Sequence, residues 1–181
     1  MMRQDKEHKT AKMPFSKGRE LASRPQLFYN ESIMLVASHI IAAGYVGEMI
    51  GNSFLAFLVG IIIHFLLDSI PHYDTTDNGK ITKRQLALTV TDGFVGIILI
   101  VFLLKADLGL KSPFFWGAFG GIFPDILDNV PFWQKAFRNT VFGKKFHKFH
   151  EDIQSVRLAP VPGLLVQAIV IVIFLYLYLH R

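Results

Sequence analysis

The stretch His64-Phe-Leu-Leu-Asp68-Ser-Ile-Pro71-His72-Tyr-Asp74 lies where an apolar run meets a polar loop. Residues four apart share a helix face, so His64 and Asp68 point the same way about one turn apart. Pro71 ends the helix, because it lacks a backbone N–H and its ring clashes with the preceding turn. The chain therefore turns just as His72 and Asp74 come into reach. An imidazole and a carboxylate on one face of an otherwise apolar helix are costly in lipid unless paired, protonated or bound to a metal.

Across the whole chain, 51% of the 181 residues are hydrophobic and the mean hydropathy is +0.38. Such a chain is too apolar for an ordinary soluble domain and reads as one compact membrane domain. Cysteine is absent, so disulfides and thiolate metal sites are excluded together and His, Asp and Glu are the strong ligand types left. The net charge of +5 does not indicate nucleic acid, because the cations fall in blocks between apolar runs, as the positive-inside rule expects.

Residues 1–31 are polar and basic, with Lys6, Lys9, Lys12, Lys17, Arg19 and Arg24, and are expected to form a cytoplasmic extension. Residues 32–181 are expected to form a single helical membrane domain. Five apolar runs predict five transmembrane helices: about 33–50 with Ser32 as N-cap, 54–70, 86–104, 114–129 and 161–179. Gly51-Asn52-Ser53 makes the first two a hairpin. The Asp74-to-Gly79 loop lacks the twelfth-position Glu of a calcium loop, so Asn78-Gly79 reads as a turn. In the third run Gln85, Thr89, Asp92 and Gly96 share a face. In the fourth, the Gly117-to-Gly121 spacing permits close helix contact, and Pro124 precedes the pair Asp125 and Asp128. Residues 131–157 are basic and aromatic, as in a segment lying at the membrane interface, and hold His147 and His150 three apart.

With the N-terminus cytoplasmic, Lys105, Lys111 and Arg181 alone of the 19 Lys and Arg residues fall outside. That bias orients the chain. His39, His64, Asp68, Asp92, Asp125 and Asp128 then lie at the cytoplasmic side with His147 and His150 beside them, and Glu48 is the exception near the outer turn. Singly each has an ordinary reading: a helix-to-helix hydrogen bond for His39 or Asp92, an ion pair with Lys135 or Arg138 for Asp125 and Asp128, an interfacial side chain for the late histidines. Clustered on one side of a bilayer they point to a metal centre. The expected ligands are His39, His64, Asp68, His72, Asp125, His147 and His150, with Asp92 and Asp128 as the catalytic carboxylates. A donor set of imidazole and carboxylate without sulfur suits a divalent ion, Zn first and Mn or Fe next. Counting back from the Gly51 turn puts His39 and His64 at similar depth, facing one another.

Ser38-His39-Ile-Ile-Ala-Ala-Gly44, His64-xxx-Asp68-xx-Pro71-His72, Phe123-Pro124-Asp125-Ile-Leu-Asp128 and His147-xx-His150 together resemble a family of bacterial inner-membrane metal-dependent hydrolases, some controlled by the DNA-damage repressor. The resemblance implies a small helical membrane protein with a His/Asp metal centre at those positions. The resulting expectation is a hydrolase acting from the cytoplasmic leaflet on a phosphoester or ester of a lipid or other amphiphile, with membrane lipid as partner. The other functional expectation is transport or binding of protons or divalent ions, for which intramembrane His and Asp also serve. A third is a structural protein whose polar cluster only ties helices together.

Overall fold

The computed structural model describes residues 36–72, 83–102, 106–154 and 158–181. Within them the regular elements are helices: α1 (Val36–Ile50), α2 (Ser53–Ser69), α3 (Lys83–Phe102), α4 (Pro113–Asn129), α5 (Gln134–Asn139), α6 (Val141–Ile153) and α7 (Pro160–Leu179). Five of them match the five apolar runs, and α5 and α6 occupy the basic aromatic segment. The extension, Ser32 and the loop holding Asp74 and Asn78-Gly79 lie outside the described residues.

The hairpin forms as its turn chemistry dictates. Gly51 takes φ +71°, a left-handed position that a side chain strains, and its N–H donates to the Glu48 carbonyl at 3.1 Å. Asn52 then caps α2, its side-chain oxygen accepting from the Leu55 N–H at 3.0 Å. Ser112 does the same for α4 at Phe115, with Pro113 at the first position, where its missing N–H costs nothing.

α4 packs against both arms of the hairpin, and glycine on two of its sides makes this possible. A Cβ on Gly117 would run into the Ala43 carbonyl of α1, and one on Gly120 into the Phe57 carbonyl of α2. On Gly121 it would lie 2.6 Å from the Ala43 Cβ and 2.8 Å from the His39 carbonyl oxygen. No side chain fits at these crossings, so the backbones meet directly. α3 and α7 pack on α1. Of the expected face of α3, Gly96 and Asp92 turn toward α1: Gly96 lies opposite Ala37, and the Asp92 carboxylate accepts from the Ala37 N–H at 3.0 Å.

One helix, Val161–Leu179, is long and apolar enough to cross a membrane. Val36–Ile50, Ser53–Ser69 and Val90–Val101 are apolar but shorter, and 17 residues of helix reach about 26 Å against a hydrocarbon core of about 30 Å. The expectation of five spanning helices is corrected accordingly: the apolar runs are helices, and the length criterion is met by α7 alone among the described residues. Large apolar side chains nevertheless cover the exterior, Phe54, Ile62 and Leu66 on α2, Phe94 on α3, and Leu165 and Val172 on α7 being exposed.

The two ends of the bundle differ in chemistry. Toward the hairpin turn, Glu48 pairs with Arg181 at 2.8 Å, and the guanidinium lies 3.7 Å over the Tyr178 ring. At the other end, the last turns of α2 and α4 meet His39 of α1 and the inner side of α6.

A candidate metal centre of histidine and aspartate

The i, i+4 spacing within α2 places His64 Nε2 3.1 Å from Asp68 Oδ2. His150 of α6 completes a triangle with them: its Nε2 is 3.2 Å from His64 Nε2 and 3.1 Å from Asp68 Oδ2. All three side chains are buried. Asp125 of α4 is a looser fourth corner, its Oδ1 3.6 Å from His150 Nε2 and 4.0 Å from His64 Nε2. Ligands about 2.0 Å from a tetrahedral ion stand about 3.3 Å apart. The three short edges match that spacing.

Hydrogen bonding behind the rings decides what they present to the triangle. His64 Nδ1 lies 2.8 Å from the Gly121 carbonyl oxygen; a carbonyl only accepts, so Nδ1 carries the proton and a neutral ring turns an Nε2 lone pair inward. The close approach of α4 puts this carbonyl within reach. His150 Nδ1 faces Asp128 Oδ2 at 3.5 Å, which likewise leaves Nε2 turned inward. Two lone pairs and a carboxylate oxygen thus converge on one point, an arrangement that repels itself unless a cation lies among them. Among the described residues two such groups could hold a metal ion: His39, His64 and Asp68, and His64, Asp125 and His150. Without a metal, a proton fills the need. Burial disfavours charge on His150, but hydrogen bonds to Asp128 and Asp68 and the nearby Asp125 outweigh it and push the imidazole up to about 10.

The surrounding side chains fix the donors. His39 Nε2 lies 3.0 Å from Asp68 Oδ1, so it holds the carboxylate oxygen that faces away from the triangle. The His39 and His64 rings do face one another, with centroids 4.8 Å apart. Gln154 donates to Asp68 Oδ2 at 2.7 Å. Asn129 donates to Asp125 Oδ1 at 3.0 Å, and Arg138 binds both Asp128 Oδ1, at 2.8 Å, and Asn129 Oδ1, at 3.2 Å.

Four of the expected residues, Asp92, Asp128, His147 and His72, lie outside both groups. The Asp92 carboxylate accepts from the Ala37 N–H and holds the first turn of α1. Asp128 is buried behind His150, locked by Arg138 and by His147 Nδ1 at 2.8 Å, where it orients a ring and has no open side for catalysis. His147 spends its two nitrogens on Asp128 and Glu151. His72 belongs to neither group able to hold an ion; its Nδ1 lies 2.8 Å from the Ile70 carbonyl oxygen, and its buried Nε2 has no partner among the described residues. His72 lines a small cavity with Ser38, His39 and Gln167.

Sequence reading missed Gln154, Asn129 and the Gly121 carbonyl. Gln154 had a signal, one turn beyond His150 on the same face. The Gly121 carbonyl had none, since its role depends on how closely two helices approach. Compared with known proteins, the chain matches no family model, no curated protein and no solved structure.

Proposed function

We propose that this chain is a multi-pass inner-membrane hydrolase, N-terminus cytoplasmic, that uses a divalent metal, zinc first, to cleave a phosphoester or ester of a lipid or other amphiphile at the cytoplasmic leaflet. The observation that carries this reading is the asymmetry of the centre. His64, Asp68 and His150 form a tight buried triangle, whereas Asp125, whose side chain is 14% exposed, stands farther off. Three close protein donors with a looser fourth side is the arrangement of catalytic zinc sites, in contrast to the closed four-ligand shell of structural ones.

A divalent metal held by His64, Asp68 and His150 would supply Lewis acidity, lowering the pKa of water toward ~7 and polarising a phosphoryl or acyl oxygen. The chain supplies the rest. Asp68, held by His39 and Gln154, fixes the ion's place. Asp128 orients His150, and the Gly121 carbonyl orients His64. Asp125, steadied by Asn129, is the carboxylate placed to take the proton of the attacking water.

The exposed apolar exterior and the cation bias support the membrane placement, and helices shorter than the bilayer are accommodated by local thinning. The short segment 131–154, with its two helices, would lie at the cytoplasmic surface. Ion transport draws less support, because the helical carboxylate at the far end, Glu48, is occupied by Arg181.

Purified protein loaded with Zn or Mn is expected to turn over lipid phosphoesters or esters, to lose that activity on chelation, and to keep its metal but lose turnover in Asp125→Asn. A metal-loaded protein inert across broad phosphoester and ester panels would remove the hydrolase reading.

A further inference from the structure

We propose that α5 and α6 dock on anionic lipid, and that this docking holds His150 in the metal centre. The inference rests on the metal reading above but concerns what controls the site.

α6 is strongly amphipathic. Gly143, Phe146, His147 and His150 turn inward, while Val141, Phe142, Lys144, Lys145 and Lys148 are exposed on the other side. Phe132, just before α5, is 93% exposed. Lys135, Lys144 and Lys145 are exposed and have no ion pair among the described residues, whereas Lys148 and Arg138 are taken by Asp152 and Asp128. Exposed phenylalanines interleaved with unpaired lysines fit a surface of acyl chains beneath negative head groups, and no polar partner would match both.

α6 packs on α5, with Phe137 against Phe142 and Phe146, and α5 in turn meets α4; the direct hold of α6 on the other helices is small. Among the described contacts it meets α2 through Phe65, whose ring packs on Phe146, Phe149 and His150 with centroids 6.1, 5.1 and 5.6 Å apart. Its other ties to the body are polar groups of the centre itself: His150 to Asp68, His147 to Asp128, and Gln154, just past its end, to Asp68. α5 adds the Arg138 to Asp128 bond. α5 and α6 are thus attached to the other helices by the packing of α5 on α4, by one aromatic cluster and by the site they complete, so that movement of the pair carries His150 with it. Lipid that binds its outer face therefore adds to the free energy with which His150 is presented to the ion.

The chain has no cysteine of its own, so Phe142→Cys carries a single polarity-sensitive dye. The full-length protein is reconstituted in bilayers of phosphatidylcholine alone or mixed with phosphatidylglycerol, without metal for the dye reading and with Zn for the affinity reading. Anionic lipid is expected to shift the dye emission to the blue and to tighten Zn binding about tenfold, taking about fivefold for each unpaired lysine near the surface as the upper scale. Lys144→Gln/Lys145→Gln is expected to abolish both responses and to leave Zn affinity in phosphatidylcholine unchanged, while Lys111→Gln, remote from α6, alters neither. A dye signal indifferent to anionic lipid overturns the proposal. So does a dye response with Zn affinity equal in both bilayers. A dye response with no Zn bound in either bilayer removes the metal reading of the preceding section and, with it, the coupling to His150.

Discussion

His64 Nε2 and His150 Nε2, 86 residues apart in sequence, stand 3.2 Å apart with Asp68 Oδ2 beneath both. Since each ring uses its Nδ1 elsewhere, the pair needs a metal ion between its Nε2 atoms or, without one, the proton that His150 carries. His64→Ala or His150→Ala is therefore expected to bring the metal content of purified protein to background. His72→Ala and His180→Ala, which lie outside the centre, are expected to leave it unchanged. Elemental analysis decides, and retention of metal by a folded His64→Ala protein would dismiss the centre.

The two carboxylates first read as catalytic separate by what they hold. Asp128→Asn weakens the grip on His150, His147 and Arg138 and is expected to lower metal affinity by about 10–100-fold, the usual effect of losing a group that orients a ligand. Asp92→Asn is expected to leave metal affinity alone and to cost about 0.5–2 kcal/mol of stability, since it acts as a cap on the first turn of α1. Metal titration and unfolding in detergent on the same two proteins check both halves.

Much of this arrangement was legible from the chain, for reasons that differ by residue. His64 and Asp68 were legible because helical geometry alone sets their relation. His39 was legible because the tight turn at Gly51 and Asn52 fixes the register of two antiparallel helices. His147 and His150 were recognised as a pair, but which one faces inward depends on the register of α6, set by Gly143 and Phe146 packing inward, and spacing could not show it. The partners of Asp92 and Asp128 were not legible, because polarity shows that a carboxylate in an apolar helix needs a partner and not which partner it finds. Five apolar runs were read as five spans because hydropathy marks runs better than it measures helix length; the turn residues and the polar last turns of α2 and α4 consume part of each run.

Glycines of two kinds hold the scaffold, and their alanine variants are expected to part company. A Cβ on Gly120 meets the backbone carbonyl of Phe57, which cannot rotate away, so Gly120→Ala must move α4 off α2. A cost of about 1–3 kcal/mol follows for overpacking, together with loss of metal, because the Gly121 carbonyl moves away from His64. At Gly51 a Cβ meets nothing within 4 Å, and the penalty is the left-handed φ alone, about 1–2 kcal/mol. Gly51→Ala is thus expected to lower the unfolding midpoint and keep its metal. Equal metal loss in the two variants would mean that α4 packing does not position the site.

Protonation of His150 links the centre to pH, and the metal-free and metal-loaded proteins are expected to respond in opposite senses. In the metal-free protein burial opposes the charge, but Asp128 and Asp68 hold the imidazole up to about 10, above its ordinary 6.5. A raised value means that this ring stabilises the fold fully below about pH 6.5 and that the contribution is lost as pH rises toward about 10. Metal requires the same ring neutral, so binding must expel the proton. Metal affinity is therefore expected to climb with pH across that interval, approaching tenfold per unit, while the metal-free protein loses stability over it. Calorimetry of Zn binding at pH 7.5, repeated in buffers of different ionisation enthalpy, measures the protons released. His150 contributes close to one of them, and Asp128→Asn, which removes part of what holds the charge, is expected to lower the count. Zn binding with no proton released would show that His150 is already neutral and that a different donor meets the ion.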